Sequence, residues 1–489
     1  MTRDEFRAAA MDAIDLVTRY WDGLEDGPVS SDARPGALLA ALPASAPERP
    51  EAFDAVKRDL VRLILPGLTH WQSPRFFAYF PCNVSEPGVL GEILSAGLNV
   101  NGMLWSTSPA ATELEIRVLD WMAELLGLPA RFRSDAPDGR GGGVIQGTAS
   151  EATLAALLAA RVRALGSAVA PAGSGRLVAY ASHQAHSSVA KAAMIAGVAG
   201  GPDDREGLRL IETDGELAMS ASALAAAIAE DRRAGRTPFF VCATVGTTGT
   251  LAADPVAAVA AIARAERLWL HVDAAMEGNA WVCPEFRSSA RGLEDADSVC
   301  VNPHKWLLTN FDCDLFWTAD RASLIRALSV QPEYLRNAAS ESGSVVDFRD
   351  WQVPLGRRFR ALKLWMVARM LGAEGLRAHV RRGVEMARAF ASWARADGRL
   401  EVHEPCRISL VCFRVRGEGP GADARTKRLL ERVNATGRVL LSHTTVPARG
   451  NPCGPKRFLI RVAVGGTFTD ERHVREAWDL IARELGSLD

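Results

Sequence analysis

At 489 residues the chain is long enough for about three domain-sized pieces. Hydrophobic residues make up 48% and charged residues 24%, a balance that excludes long disorder, a collagen-like repeat and a coiled-coil rod. Lys plus Arg number 57 against 58 for Asp plus Glu, a net charge of -1, so no global basic field gathers nucleic acid or anionic lipid.

The first segment, to about Arg75, carries apolar residues at helical spacing over 5–21 and 52–65, separated by a Pro- and Ser-bearing stretch at 27–50. It is too small and open to bury its own faces, and is expected to pack on something else, such as a second subunit. The N-terminus has Asp4 and Glu5 and no continuous apolar stretch, which does not fit a secretory signal. No uncharged apolar run is long enough to cross a bilayer. Cys82, Cys242, Cys283, Cys300, Cys313, Cys406, Cys412 and Cys453 are scattered without a CxxC pair, so neither a zinc ribbon nor a disulfide framework is signalled. The expectation is a cytoplasmic protein with reduced thiols.

Between Gly141 and Trp317 short β-rich apolar runs alternate with Ala-rich helical stretches. Strands are expected at 177–180, 239–245, 268–272, 298–302 and 315–318, and helices at 151–165, 188–198, 222–233 and 255–266. This is an α/β pattern, helices on both faces of a mostly parallel sheet. Helices at 359–371 and 374–394, strands at 408–415 and 458–464 and a closing helix at 470–485 then read as a separate α+β tail. There is no internal repeat.

Five features carry chemistry. Lysine is scarce, with Lys57, Lys191, Lys305, Lys363, Lys427 and Lys456 alone. Lys305 lies in DSVCVNPHKWLL, just past a buried-strand signal, where apolar surroundings lower an amine's pKa and suit it to attack a carbonyl as a Schiff-base former. A solvated loop lysine is the other reading. Asp273, in LWLHVDAAMEGNA, follows an apolar strand, at the sheet edge where ligands bind. It is either a capping Asp or the partner of a cation such as a protonated pyridine nitrogen. In GGGVIQGTASEAT, Thr148, Ala149 and Ser150 open a helix that can hold a phosphate, while Thr148 and Glu151 also fit a capping box. The GxGxxG dinucleotide fingerprint is not matched. His183 and His186 sit on a strand-to-helix turn in YASHQAHSSVAKAA, where an imidazole can lie flat on an aromatic cofactor or simply be hydrogen-bonded; no third metal ligand is suitably spaced. Asn302 and His304 flank the lysine and can touch phosphate or substrate. Together these describe a phosphate cradle, a stacking imidazole, an acidic ring partner and a lysine, in that chain order.

The sequence resembles the group II pyridoxal-phosphate decarboxylases, and within them the aromatic-L-amino-acid decarboxylases, which include tryptophan, tyrosine and DOPA enzymes. The likeness runs through HWQSPRFFAYFP, SPAATELE, GVIQGTASEAT, QAHSSV, HVDAA, NPHKWLLTNFDC and WQVPLGRRFRALK, and spans nearly the whole chain. It implies a homodimer of fold type I in three parts: an N-terminal helical segment over 1–85 wrapped on the partner, a large seven-stranded cofactor domain over 86–360, and a small α+β domain over 361–489. It implies pyridoxal 5'-phosphate as cofactor, Lys305 as its covalent anchor, Asp273 as the pyridinium partner and His186 as the stacking ring. Thr148, Ala149, Ser150 and Asn302 match the phosphate shell, Ala275 a residue under the ring, Thr248 a cofactor-side threonine and His304 the histidine beside the lysine.

The implied reaction exchanges the substrate amine for Lys305, releases carbon dioxide and returns a proton to Cα from Tyr334, in the polar loop SVQPEYLRNAASESGS. Family members with Phe at this Tyr, or Asn at the stacking His, tend toward aldehyde synthesis, so Tyr334 and His186 favour amine. Trp71, Tyr79, Phe80 and Pro81 match the aromatic pocket, with Asn101, Met103 and Leu104 contributed across the dimer. Gly356 stands where indole-accepting members carry Gly and many plant phenol-selective ones carry Ser. Cys82 replaces a common Thr near the substrate carboxylate, and Met276-Glu277 replaces the commoner Tyr-Ala. The expectation is decarboxylation of an aromatic L-amino acid, with no nucleic acid, membrane or metal involved. An aldehyde synthase, a decarboxylase of a non-aromatic acid, a transaminase and a non-catalytic binding protein on the same fold are the alternatives.

Overall fold

In the computed structural model the described residues are 1–166, 175–330, 345–447 and 454–488. Tyr334 and Cys453 lie outside them. The large sheet has seven strands: β1 Gly142–Gln146, β2 Leu177–Ser182, β3 Leu208–Ile211, β4 Thr237–Thr244, β5 Trp269–Asp273, β6 Ser298–Val301 and β7 Asp314–Thr318, in the order β1-β7-β6-β5-β4-β2-β3. Only β7 runs against its neighbours, antiparallel to both β1 and β6. The sheet is therefore mostly parallel, as the alternating texture predicts. Its strands are almost wholly buried, which explains their continuous apolar runs.

Two strands escape the sequence reading. The glycines of β1 suggest a flexible approach, yet Gly142 to Gln146 pair with Thr318 to Asp314 along the whole strand. A Cβ on Gly143 would stand 2.6 Å from the Trp317 ring, so the bare backbone is what lets β1 close against β7. The four residues of β3 are half-buried at the sheet edge and too short to announce a period.

Helices α1 Arg3–Asp22, α2 Glu86–Leu98, α3 Pro109–Leu126, α4 Ala149–Leu165, α5 Ser188–Ile195, α6 Ala221–Arg233 and α7 Val256–Glu266 precede or cover the sheet. One face carries the alanine-rich side of α4 against Val144, Cys300 and Phe316. The other carries Val118, Leu119 and Met122 of α3 with Val256 and Val259 of α7. The expected stretch 52–65 is helical in three short pieces, Phe53–Asp59, Leu60–Ile64 and Leu65–Gly67.

The two expected tail helices are both present, run together as α8 Arg360–Ala396 and separated by a kink at Gly372 (φ 66°, ψ 174°). Beyond it lie a four-stranded antiparallel sheet, β8 Leu400–Val402, β9 Leu410–Val415, β10 Ser442–Pro447 and β11 Lys456–Ala463, and helices α9 Gly419–Ala435 and α10 Glu471–Gly486. β8, β10 and α9 are additions to the sequence reading; α9 opens on Gly-Pro-Gly and is mostly polar, which hides its period. The tail has its own core around Phe390, Phe413 and Ile460. It also shares the first core, which takes in Val380, Leu410, Leu459 and Ala463.

Where α2 crosses α8, a Cβ on Gly91 would lie 2.4 Å from Lys363 Cα. Backbone meets backbone here, and nothing soft can yield. Gly91→Ala is expected to destabilise the protein by about 1–3 kcal/mol, read as a lowered urea midpoint at unchanged slope; an unchanged midpoint contradicts this packing.

His271, His304 and His379 are buried, and burial pushes them down to about 4, 3 and 3 from an ordinary 6.5. The unfolded chain therefore takes up protons at these rings before the folded one does. Stability is fully present above pH about 6.5 and falls as pH drops through that value toward the folded-state values, by up to about 1.4 kcal/mol per ring per pH unit. His379 donates from Nε2 to Asn83 Oδ1 at 3.2 Å, a bond that Gln can replace. His379→Gln is expected to flatten the acid limb of a stability profile between about pH 7 and pH 4.5; an unaltered limb refutes the assignment.

Candidate active site

The carboxyl ends of β1, β4, β5 and β6 open on one cleft of about 640 Å³. That is a size for an aromatic cofactor and a small substrate. Lys305 reaches it from the single helical turn Pro303–Trp306 after β6. Its amine makes no hydrogen bond or ion pair with any described residue, and lies 5.9 Å from the Phe80 ring centroid. Burial pushes the amine below the ordinary lysine value, with Asp273 the first of the charges opposing that shift. A larger neutral fraction at neutral pH is what a nucleophilic amine needs.

Asp273 closes β5 and is buried. Its Oδ1 accepts from the Ala275 N–H at 3.1 Å and from the Cys300 thiol at 3.8 Å. The capping-box reading of Thr148 is not realised: its side chain makes no capping hydrogen bond, and the Glu151 carboxylate accepts instead from the Gly147 N–H at 2.8 Å. Thr148, Ala149 and Ser150 line the cleft at the uncapped first turn of α4, where free N–H groups and the positive dipole end suit an anion.

His186 lines the cleft just before α5, and its Nδ1 accepts from the Ser188 N–H at 3.2 Å. Burial lowers its pKa, opposed by Asp273 and reinforced by Lys305. The ring is thus neutral with its proton on Nε2. His183 does not line this cleft. His304 follows the same logic. The Cys313 N–H donates to its Nδ1 at 3.0 Å, leaving the proton on Nε2, 3.3 Å from the Asn302 amide. Turned by half a rotation, that amide offers Oδ1, otherwise buried without a partner, to accept this proton.

Trp71, Tyr79, Phe80, Pro81 and Cys82 form the aromatic wall, with Thr248, Ala275, Asn302 and His304 completing the expected set. The Trp71 and Tyr79 rings stack at 5.6 Å and 17°. The sequence reading did not single out Thr244, Gly246 or Phe311, which also line the cleft. Phe311 stands edge-on to His304 at 4.8 Å; its place in the NPHKWLLTNFDC run is the one signal for it. Met276 faces the cleft, whereas Glu277 pairs with Arg407 of the tail at 2.7 Å.

Asn101, Met103, Leu104 and Gly356 do not line this cleft. They gather elsewhere: the Arg357 N–H donates to Asn101 Oδ1 at 3.0 Å, and the Arg349 N–H to the Met103 carbonyl at 3.0 Å. Arg357 then pairs with buried Glu115 at 2.7 Å and anchors this group to β1 through the Ile145 carbonyl. Among the described residues no group of three His, Cys, Asp or Glu side chains could hold a metal ion, and no helix is long and apolar enough to cross a membrane.

The donor set fits pyridoxal phosphate: an anion site at the start of α4, a flat neutral imidazole, a carboxylate from β5 and an unpaired amine. Residues 35–416 match the family model described as the pyridoxal-dependent decarboxylase conserved domain. The chain is 46% identical to phenylacetaldehyde synthase of Arabidopsis thaliana, over 100% of this chain and 97% of that protein. It is 46% identical to tryptophan decarboxylase 2 of Oryza sativa subsp. japonica, over 99% and 95%. The crystal structure of Oryza sativa TDC with PLP and tryptamine superposes with a TM-score of 0.94 at 41% identity, covering 100% and 99% of the two chains. The chain therefore belongs to the group II pyridoxal-phosphate-dependent decarboxylases, in the aromatic-L-amino-acid decarboxylase family, and is a carboxy-lyase that uses pyridoxal 5'-phosphate.

Proposed function

We propose that the protein decarboxylates an aromatic L-amino acid (tryptophan or 5-hydroxytryptophan, DOPA, tyrosine or phenylalanine) to its amine and carbon dioxide, as a homodimer with shared sites. The observation that carries this is the meeting in one cleft of the unpaired Lys305 amine, the Asp273 carboxylate and an aromatic wall. Bound, the cofactor supplies an electron sink conjugated to the bond that breaks. Lys305, whose amine has no partner among the described residues, would anchor it covalently. Asp273 keeps the ring nitrogen protonated, and the first turn of α4 with Thr148, Ala149 and Ser150 holds the phosphate. The neutral ring of His186 would stack on the cofactor, and Thr248, Ala275, Asn302 and His304 would hold its edges. Trp71, Tyr79, Phe80 and Pro81 exclude water and receive the substrate ring, with Cys82 near its carboxylate.

Tyr334, outside the described residues, gives the proton to Cα. Amine is then the product. The 46% identity to phenylacetaldehyde synthase supports a second reading, in which the same site yields an aldehyde.

The dimer is supported by α1, which has no buried residue yet presents Phe6, Met11, Ile14 and Val17. Leu90, Ile93, Leu94 and Leu98 of α2 are likewise exposed. On this reading Asn101, Met103, Leu104 and Gly356 serve the partner's site.

Borohydride reduction of the resting holoenzyme, followed by digestion, is expected to leave the pyridoxyl tag on the peptide bearing Lys305. Lys305→Ala should lose activity by on the order of a thousandfold or more. A tag on any other peptide overturns the proposal. Offered tryptophan, 5-hydroxytryptophan, DOPA, tyrosine and phenylalanine together, the enzyme is expected to release the corresponding amines, identified by mass. Tyr334→Phe should divert product toward aldehyde with peroxide and ammonia. Aldehyde as the main product of the unaltered enzyme decides for the second reading.

A further inference from the structure

Asp314 opens β7 at the cleft edge, because β7 alone runs backwards in the sheet. Register sets it opposite Gln146 of β1, and the pairing of Val301 with Leu315 brings Asn302 beside it on the other side. Side chains directly across an antiparallel pair stand about 5 Å apart at Cβ. Asp314 shares the sheet face of Phe316 and Val144, the face covered by α4. It therefore lies beneath the first turn of that helix, behind the proposed phosphate cradle.

The carboxyl group is fully buried, and neither of its oxygens has a hydrogen-bond partner among the described residues. Its neighbours Gln146 Oε1 and Asn302 Oδ1 are buried acceptors in the same condition. Acceptors cannot satisfy one another; a proton is missing from the group. The charged groups that reach Asp314 are Asp273 on β5, Glu151 on α4 and Lys305 after β6, two of them negative. Burial, with Asp273 next, pushes its carboxyl well above the usual range. A phosphate dianion arriving overhead adds to the same side of the balance.

We propose that Asp314 is a neutral, proton-bearing positioning residue beneath the phosphate cradle. Its O–H donates to Gln146 Oε1, and its carbonyl oxygen accepts from the Asn302 amide, whose Oδ1 in turn receives the His304 Nε2 proton. This chain links β1, β7 and the turn bearing Lys305 and satisfies each orphaned oxygen named above. The proposal rests on the reading of the α4 start as the phosphate site.

The test compares wild type, Asp314→Asn and Asp314→Ser. Infrared difference spectra of wild type minus Asp314→Asn, near neutral pH, should contain the carbonyl stretch of a protonated carboxylic acid; its absence overturns the proposal. Asp314→Ser also deletes the acid and serves where the Asn variant does not fold. Equilibrium binding of pyridoxal phosphate, followed by tryptophan fluorescence, should differ between wild type and Asp314→Asn by less than about threefold, because neither carries a charge there. Binding at least threefold tighter in Asp314→Asn would mean that the native carboxyl is ionised, and binding at least threefold weaker that it serves the cradle in another way; either result sinks the proposal. If wild type takes up no cofactor at all, the reading of the cleft fails instead, while the infrared band still reports the proton on Asp314.

Discussion

The structure turns on one uncompensated amine. Lys305 is carried into a desolvated cleft where no described side chain pairs with it, while the Asp273 carboxylate enters from the neighbouring strand. Burying a lysine without a partner is costly, and a protein sustains it when the amine is neutral or covalently engaged. The parallel strands make this possible, since their carboxyl ends deliver the residues of β1, β4, β5 and β6 to one edge. The antiparallel β7 fills the gap between β1 and β6 and seals that edge from behind.

Much of this was legible in the sequence because the chemistry sits at strand ends. Lys305, Asp273, His186 and the start of α4 each follow an apolar run, and runs of that kind survive reading without any structure. The central strands β4, β5 and β6 are similarly plain, being mostly apolar and buried along almost their whole length. What stayed hidden depends on contacts remote in sequence. Gly143 looks flexible until Trp317 is laid against it. Asp314 looks like an ordinary polar residue after a loop until register sets it between two amides. Thr148 and Glu151 match a capping box letter by letter, yet Gly147 takes the glutamate. Trp71 and Tyr79 are assigned to the aromatic pocket by resemblance alone, and only the fold reveals that both are substantially exposed. Tyr334 lies outside the described residues, so its role stands on the sequence alone.

The relatives at 46% identity include both a decarboxylase and an aldehyde synthase. One fold thus serves more than one outcome, so family membership alone does not fix the product. The imidazole of His186 is held by the turn into α5, and its tautomer is fixed by a backbone N–H. A ring so constrained keeps one protonation pattern through changes elsewhere in the site.

Phe80 has a neighbour on the tail side as well. Arg461, on β11, lies 5.1 Å from its ring centroid, and the Lys305 amine 5.9 Å. An electron-rich ring attracts a cation held over it, and Arg461 comes from the four-stranded sheet while Phe80 lines the cleft that Lys305 enters. One aromatic side chain thereby ties the seating of that sheet to the shape of the cleft wall.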